Sequence, residues 1–362
     1  MKKVVTILGA RPQFVKAAVL SRLIRKYREI EEVIVHTGQH FDNNMSSVFF
    51  DEMQIPKPVY NLHINRMNHG AMTGKMLEEI EAILLKEQPL AVIVYGDTNS
   101  TLAGALAAKK IGIKVIHIEA GLRSFNMKIP EEINRILTDR ISDMLLCPTD
   151  IALQNLKKEG FDHFPVIIEK AGDIMKDAVA FYSKFSKERS SILEDLKLQH
   201  SAFVLATIHR QENTENRKRL QAIFSGLEKI HQNRQVILPL HPGTKKMLMK
   251  FDIKPTITLI EPVGYFSMLE LLKNCIMVIT DSGGLQKEAF FNKKHCIVIR
   301  DETEWVELIT CNIARVTGCD SQEITAAYQY FLTKKSNFEM PLYGNNNVGE
   351  KMYKSIIRLL QN

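Results

Sequence analysis

Short, β-rich apolar runs alternate with longer amphipathic stretches through most of this 362-residue chain. That alternation is the pattern of βαβ units around a parallel sheet, and no other feature restricts the fold as strongly. In the first half the runs predict strands at 3–8, 32–37, 90–95, 113–118, 143–147 and 165–169. In the second half they fall at 202–207, 235–240, 256–260, 276–280, 296–299 and 313–317. Helical segments such as 71–88 and 98–110 lie between them. The length exceeds what one hydrophobic core usually serves, and about six strands recur in each half. The expected fold is therefore α/β: two Rossmann-like, doubly wound parallel-sheet domains facing a cleft. The first domain takes 1–170 and the second 171–345, with AGDIMKDA at 171–178 as the crossover. The remaining 346–362 reads as an amphipathic helix with Val348, Met352, Ile356, Leu359 and Leu360 on one side. Its apolar face is free to pack on either half, and packing back on the N-terminal domain closes the chain most simply.

Composition excludes several classes. With 45% apolar and 25% charged residues the chain is globular, neither disordered nor fibrous. A net charge of +7 leans toward anionic partners, although a solvated basic surface is the simpler account. Lys and Arg are spread without a block, so no nucleic-acid partner is expected. Cys147, Cys275, Cys296, Cys311 and Cys319 form no CxxC pair, which removes the redox and zinc signatures. MKKVVTILGA runs straight into a strand pattern rather than a signal peptide. No apolar stretch reaches membrane-span length. A cytoplasmic protein without a membrane partner is the expectation.

Open parallel sheets bind ligands outside the carboxyl ends of their strands, so the residues just after each apolar run carry the information. After the first run come Arg11 and Lys16, and after the second Gln39 and His40. Asp97 follows the third, and Glu119 the fourth, with Arg123 and then Pro130, Glu131 and Glu132 beyond it. The second half offers His209 and Arg210, then His241, Glu261, Asp281 with Ser282, and Arg300. Carboxylates gather on one sheet and histidines on the other, which points to a functional site.

DSGG at 281–284 is the sharpest local motif. It opens a helix that carries Glu288, and Ser282 suits its N-cap. Gly283 and Gly284 let backbone N–H groups approach an anion, and the helix terminus adds partial positive charge. A phosphate or diphosphate is the natural ligand. Arg11 and Lys16 suit phosphate charge or sugar hydroxyls. Neither GxGxxG nor GxxxxGK[ST] occurs, so no dinucleotide cofactor and no P-loop is expected. His36 and His40 in HTGQH share a face only in a helix, whereas a strand enters a glycine turn there. His117 and Glu119 form HxE without the PCxxC of a zinc deaminase. No metal is expected, and His117 reads as a core histidine.

At these residues the chain resembles the non-hydrolysing UDP-N-acetylglucosamine 2-epimerase family, which shares its two-domain fold with GT-B glycosyltransferases. The matching segments are GARPQFVK (9–16), TGQH (37–40), GDTNST (96–101), HIEAGLR (117–123), PEEINR (130–135), TIHRQEN (207–213), LHP (240–242), TDSGGLQKE (280–288) and IRDETE (299–304). They run in family order from the N-terminus past residue 300. The resemblance implies inversion at C2 of a UDP-linked 2-acetamido sugar without a cofactor. The C2 hydrogen is not beside a carbonyl, so a carboxylate cannot remove it unaided. Expelling UDP first places positive charge at C1 and acidifies that hydrogen. A base then takes the proton, leaving a 2-acetamidoglucal and UDP. Reprotonation on the opposite face and return of UDP give the epimer, which requires acid–base groups on two faces and donors for the leaving diphosphate.

By this resemblance Asp97, Glu119 and Glu131 are the acid–base carboxylates, without distinction as to which takes the proton, and His209 assists from the other half. Arg11, Ser282, Gly283 and Gly284 hold the diphosphate. Glu288 accepts the ribose hydroxyls, the Gly264–Tyr265 turn lies near the uracil, and Arg300 sits near the sugar. The family also suggests a homodimer. Some members have a second, regulatory UDP-sugar site, to which Gln39, Arg210 and His241 correspond. Here TGQHFDNNMS and SFNMKI depart from the regulated members, so allostery is not expected. TEWVE at 303–307 replaces the usual TERPE. These variants look most like a branch that includes 2-epimerases of UDP-2,3-diacetamido-2,3-dideoxyglucuronate, a surface-polysaccharide precursor. That sugar carries a carboxylate that Lys128 or Arg123 suits, and UDP-GlcNAc stays the equal alternative. A GT-B glycosyltransferase, a hydrolysing epimerase and a silent nucleotide-sugar sensor are the rivals. The glycosyltransferase does not need three carboxylates clustered on the N-terminal sheet, and the sensor could dispense with them.

Overall fold

A computed structural model describes residues 1–39, 50 and 53–361. His40 and most of the segment after it, named above for a metal and for regulation, lie outside the described residues. The chain divides into two compact units, 1–178 with 341–362 and 179–340.

Unit 1 is built on a seven-stranded sheet. Its strands are β1 (Lys2–Leu8), β2 (Ile30–His36), β3 (Tyr60–Asn61), β4 (Ala91–Tyr95), β5 (Lys114–Ile118), β6 (Met144–Cys147) and β7 (Ile167–Lys170). The order is β3-β2-β1-β4-β5-β6-β7, with every pair parallel. Helices between strands cover both faces, which is why the central strands read as continuous apolar runs. β4 is buried along its whole length. Unit 2 carries β8 (Val204–Thr207), β9 (Val236–Pro239), β10 (Thr258–Ile260), β11 (Met277–Thr280), β12 (His295–Val298) and β13 (Ala314–Val316). Their order is β10-β9-β8-β11-β12-β13, again parallel throughout. All twelve expected strands are present, and the two parallel-sheet α/β units match the fold class read from the sequence. The strand missed is β3, two residues too short to show a period, which exists through pairing of Val35 with Tyr60 and His36 with Asn61.

The chain leaves unit 1 after Ala178 and returns at Pro341. The sequence assigned 171–178 and 341–345 to the second half, but both belong to unit 1. The reason is local hydrogen bonding. Ala171 N donates to Cys147 O at 3.0 Å, Asp173 N to Tyr343 O at 3.0 Å, and Lys176 Nζ to Gly344 O at 2.6 Å. Helix Val348–Leu359 then packs against helix Arg11–Tyr27 of the same unit, with the Tyr27 and Tyr353 rings 4.9 Å apart.

In each sheet the winding reverses once. The reversal lies between β1 and β4 in unit 1 and between β8 and β11 in unit 2. Loops that leave such neighbouring strands in opposite directions open a crevice at the carboxyl edge. Unit 1 therefore presents the turns at Gly9–Arg11 and Gly96–Asp97, and unit 2 those at His209–Arg210 and Asp281–Gly283.

Candidate active site

At the unit 1 reversal, Gln13 ties the two turns together. Its Oε1 accepts from Gly9 N at 2.7 Å and Ala10 N at 3.0 Å, while Nε2 donates to Tyr95 O at 2.6 Å and to Thr98 and Thr101 Oγ1 at 3.0 Å. Five contacts from one buried amide fix where helix Arg11–Tyr27 starts relative to β4. Gly9 is obligatory there, because a Cβ would stand 1.9 Å from Ser100 Oγ. Gln39 is held in the same web, with Oε1 accepting from Ser100 N at 3.0 Å and Ser100 Oγ at 2.7 Å.

The carboxylates come paired. Asp97, beyond β4, contacts Arg135, whose other nitrogen reaches Glu132 Oε2 at 2.6 Å. Asn134 Nδ2 holds the Asp97 carbonyl at 3.0 Å. Glu119, beyond β5, contacts Lys16 of helix Arg11–Tyr27. Glu119 also adopts φ +76°, a left-handed conformation that is rare outside glycine and collects at functional positions. Its turn is secured by Glu119 N and Ala120 N donating to Leu146 O at 3.1 and 3.2 Å. The adjacent glutamates of helix Pro130–Ile141 divide their roles. Glu132 is fully buried and accepts from Ser124 N, Ser124 Oγ and Phe125 N, while Glu131 stays half-buried.

Two cations assigned to ligand by the sequence are engaged inside the protein. Lys16 contacts Glu119. Arg123 is buried and directs Nε and Nη2 to Glu159 at 2.7 Å and Nη1 to Asp139 at 2.7 Å. These three nitrogens are thus engaged within unit 1. Lys128 is exposed, on the loop before helix Pro130–Ile141.

At the unit 2 reversal a buried carboxylate organises the edge. Asp281 accepts from His209 N at 3.0 Å, Arg210 N at 3.0 Å, Asn213 Nδ2 at 3.2 Å and His209 Nδ1 at 3.1 Å. Burial pushes its carboxyl up, but the His209 ring and these amides outweigh burial and hold it below the usual carboxylate range. Asp281 thus aims an exposed His209, whose ring centroid lies 6.0 Å from that of His241. His241 caps helix Pro242–Phe251 through Gly243 N at 3.2 Å. Ser282 caps helix Gly283–Phe291, accepting from Leu285 N at 3.4 Å. Gly284 is exposed at the first turn, and a Cβ there meets nothing within 4 Å. Glu288, one turn further, is mostly buried. Gly264 begins helix Tyr265–Asn274, with the Tyr265 ring edge-on to Tyr182 at 5.7 Å. Arg300, expected beside the sugar, is 2% exposed and bonded to Glu304 Oε2 at 2.8 Å, with Nη1 3.9 Å from where a Cβ on Gly283 would stand. Arg11 stands half-buried at the head of its helix.

Sequence reasoning missed Gln13, Arg135, Asp139 and Asp281 as organisers of these edges. All four stand in or near the quoted motifs, but their roles depend on partners up to 88 residues away. Among the described residues no group of three His, Cys, Asp or Glu could hold a metal ion, and no helix is long and apolar enough to cross a membrane.

Two doubly wound units with charged reversals define the class: a two-unit α/β enzyme with GT-B-like architecture. The family model described as UDP-N-acetylglucosamine 2-epimerase matches residues 22–357. A Pseudomonas aeruginosa protein named UDP-2,3-diacetamido-2,3-dideoxy-D-glucuronate 2-epimerase is 48% identical, over 99% of this chain and 100% of that one. A UDP-N-acetylglucosamine 2-epimerase of Methanocaldococcus jannaschii is 41% identical, over 99% and 98%. The crystal structure of the M. jannaschii UDP-GlcNAc 2-epimerase with UDP-GlcNAc and UDP matches at TM-score 0.91, with 40% identity over 99% of this chain and 100% of that one. The Neisseria meningitidis UDP-GlcNAc 2-epimerase bound to UDP-GlcNAc matches at 0.88, with 28% identity over 98% and 100%. The chain belongs to the UDP-N-acetylglucosamine 2-epimerase family and is an isomerase.

Proposed function

We propose that this enzyme inverts C2 of a UDP-linked 2-acetamido sugar by eliminating and re-adding UDP. The observation that carries the reading is the unit 1 reversal, where Asp97 and Glu119 stand at adjacent strand ends, each on its own cation. A carboxylate held by a fixed cation is pointed, as a positioned base requires. In the forward step the C1–O bond breaks and its electron pair leaves with the β-phosphate of UDP. A carboxylate among Asp97, Glu119 and Glu131 takes the C2 proton, and the C1=C2 double bond of a 2-acetamidoglucal forms. The reverse step delivers a proton to the other face, and UDP returns to C1. No net oxidation occurs, so no redox cofactor enters. Unit 2 supplies the UDP elements. The N-terminus of helix Gly283–Phe291, with Ser282, Gly283 and Gly284, receives the diphosphate together with Arg11. Glu288 takes the ribose hydroxyls, Gly264 and Tyr265 the uracil, and His209 acts on the leaving oxygen. Gln39, Arg210 and His241 contact substrate at the margins. The substrate class places the enzyme in the cytoplasm.

The sugar we assign first is UDP-2,3-diacetamido-2,3-dideoxyglucuronate, on the 48% relative, with UDP-GlcNAc second on the 41% relative. The product then serves surface-polysaccharide synthesis. Each sugar is incubated with the enzyme in D2O without added cofactor. The expected result is deuterium at C2 and a gluco/manno mixture still linked to UDP, faster with the uronate. Free sugar as the main product would point to a hydrolase, and no C2 exchange with either sugar would sink the epimerase reading. A homodimer is part of the proposal. Ile133 and Leu137, four apart on helix Pro130–Ile141, are 39% and 46% exposed, an apolar strip suited to a second copy. Light scattering at a single-chain mass would refute it.

A further inference from the structure

Behind the unit 1 carboxylates lies a pair that the reaction does not use directly. His117 of β5 and Asp139 of helix Pro130–Ile141 are both fully buried. His117 Nδ1 stands 2.7 Å from Asp139 Oδ1, and Nε2 stands 2.7 Å from the Gly96 carbonyl oxygen. Both ring nitrogens thus face oxygens that can only accept, if Asp139 is ionised. A neutral imidazole owns one N–H and one lone pair, so one of these contacts would set lone pair against lone pair.

Asp139 is the ionised member. Burial pushes its carboxyl up, but the hydrogen bond to His117 and the Arg123 guanidinium hold it below the usual range. Its Oδ2 also accepts from Gly121 N at 3.1 Å and Arg123 Nη1 at 2.7 Å. Arg123 meets both carboxylates, Asp139 through Nη1 and Glu159 through Nε and Nη2. The neighbouring Cys147 thiol is pushed up by burial and adds no charge.

We infer that His117 is a positioning residue that, with Asp139, clamps the two carboxylate-bearing turns in register. Its Nε2–H grips Gly96, the residue before Asp97, whose own N–H is held by Ile118 O at 3.0 Å. Gly96 has φ +63°, a conformation that favours glycine, so the turn has no side chain of its own to anchor it. Asp139 grips Gly121, two residues after Glu119. One buried His–Asp pair therefore spans both turns. This inference rests on the reading of Asp97 and Glu119 as acid–base groups.

His117→Phe in the full chain loses both bonds and should lower kcat about a hundredfold with KM within about threefold, the scale of a small misplacement of reacting groups. Asp139→Asn keeps the geometry, since its amide N–H can donate to Nδ1 while an Nε2–H still holds Gly96. There kcat should fall less than about tenfold. Wild-type kcat in His117→Phe overturns the clamp, as does an Asp139→Asn enzyme equally impaired. If His117→Phe does not fold, a hundredfold loss of kcat in Asp139→Asn overturns it. Asp97→Asn is measured alongside. If it retains C2 exchange, the acid–base reading fails, while the split between kcat and KM in the clamp variants stands by itself.

Discussion

The two reversals solve the same problem with different materials. In unit 1, Asp97 and Glu119 face the edge, and cations from neighbouring helices, Arg135 and Lys16, hold each one. In unit 2 the carboxylate is turned inward. Asp281 is fully buried, satisfied by two backbone amides and by the ring of an exposed His209, and what faces outward is a helix N-terminus. Proton transfer needs charges aimed within fractions of an ångström, and paired side chains supply that aim. Anion binding needs partial positive charge and room, which a helix terminus with glycines supplies. The difference accounts for cations buried in unit 1 where the sequence suggested ligand contacts.

The comparison breaks most visibly at its carboxylates. Asp97→Asn and Glu119→Gln should each lower kcat by about 10²–10⁴, read as loss of C2 deuterium exchange. Glu119→Gln should also destabilise unit 1 by about 3 kcal/mol or more, because Lys16 is left buried without its counter-charge. If Asp281→Asn proves as inactive as Asp97→Asn, the division of labour is wrong.

The next effect is of pH on stability. Burial lowers His36 from 6.5 to about 4, so the fold carries it neutral. Its contribution is complete above pH 6.5 and is lost as pH falls toward 4, by about 3 kcal/mol. Denaturant melts at pH 7, 5 and 4 should show that decline, and His36→Gln should remove most of it. His295 of unit 2 is lowered by burial too and adds in the same direction.

Asp281→Asn should cost about 2 kcal/mol: its amide oxygen can keep the Oδ2 place, where His209 N, Arg210 N and Asn213 Nδ2 donate, but its N–H₂ then stands at the Oδ1 place, where His209 N and the His209 ring need an acceptor. Because the folded pKa of Asp281 is depressed, its stabilisation is complete above the ordinary carboxylate range, about 3.9. It is lost as pH falls through the folded value, so the variant's acid unfolding curve should be flatter below about pH 4. The smallest effect is expected at Gly283→Ala. An added Cβ stands 2.3 Å from Glu304 Oε1 and must shift it off Arg300. UDP affinity by calorimetry should fall about tenfold, about 1.4 kcal/mol. An unchanged affinity would detach the DSGG turn from UDP.

Much of this was legible in the chain. Twelve strands announced themselves because an apolar run between helical stretches is a local pattern, readable within a few residues. Asp97, Glu119, His209 and DSGG were legible because a parallel sheet delivers strand ends to one edge. β3 was not, since two residues carry no period. The protein partners of Arg123, Lys16 and Arg300 were not legible either. From the sequence each was a cation near an edge. Whether it faces ligand or a neighbouring carboxylate depends on contacts such as Lys16 with Glu119, 103 residues apart.

Sequence alone determined the α/β alternation, the chemistry at each strand end and the Ser-capped, glycine-rich helix terminus at DSGG. All of these follow from residues close together along the chain. Tertiary structure decided which strands became neighbours at each reversal, and with that which charges pair. It also decided where the units divide, through the stitching of 171–176 to 343–344, and that His117 sits between two acceptors. Those outcomes come from crossovers that bring distant segments within 3 Å, a distance at which one proton more or less on an imidazole decides whether the contact attracts or repels.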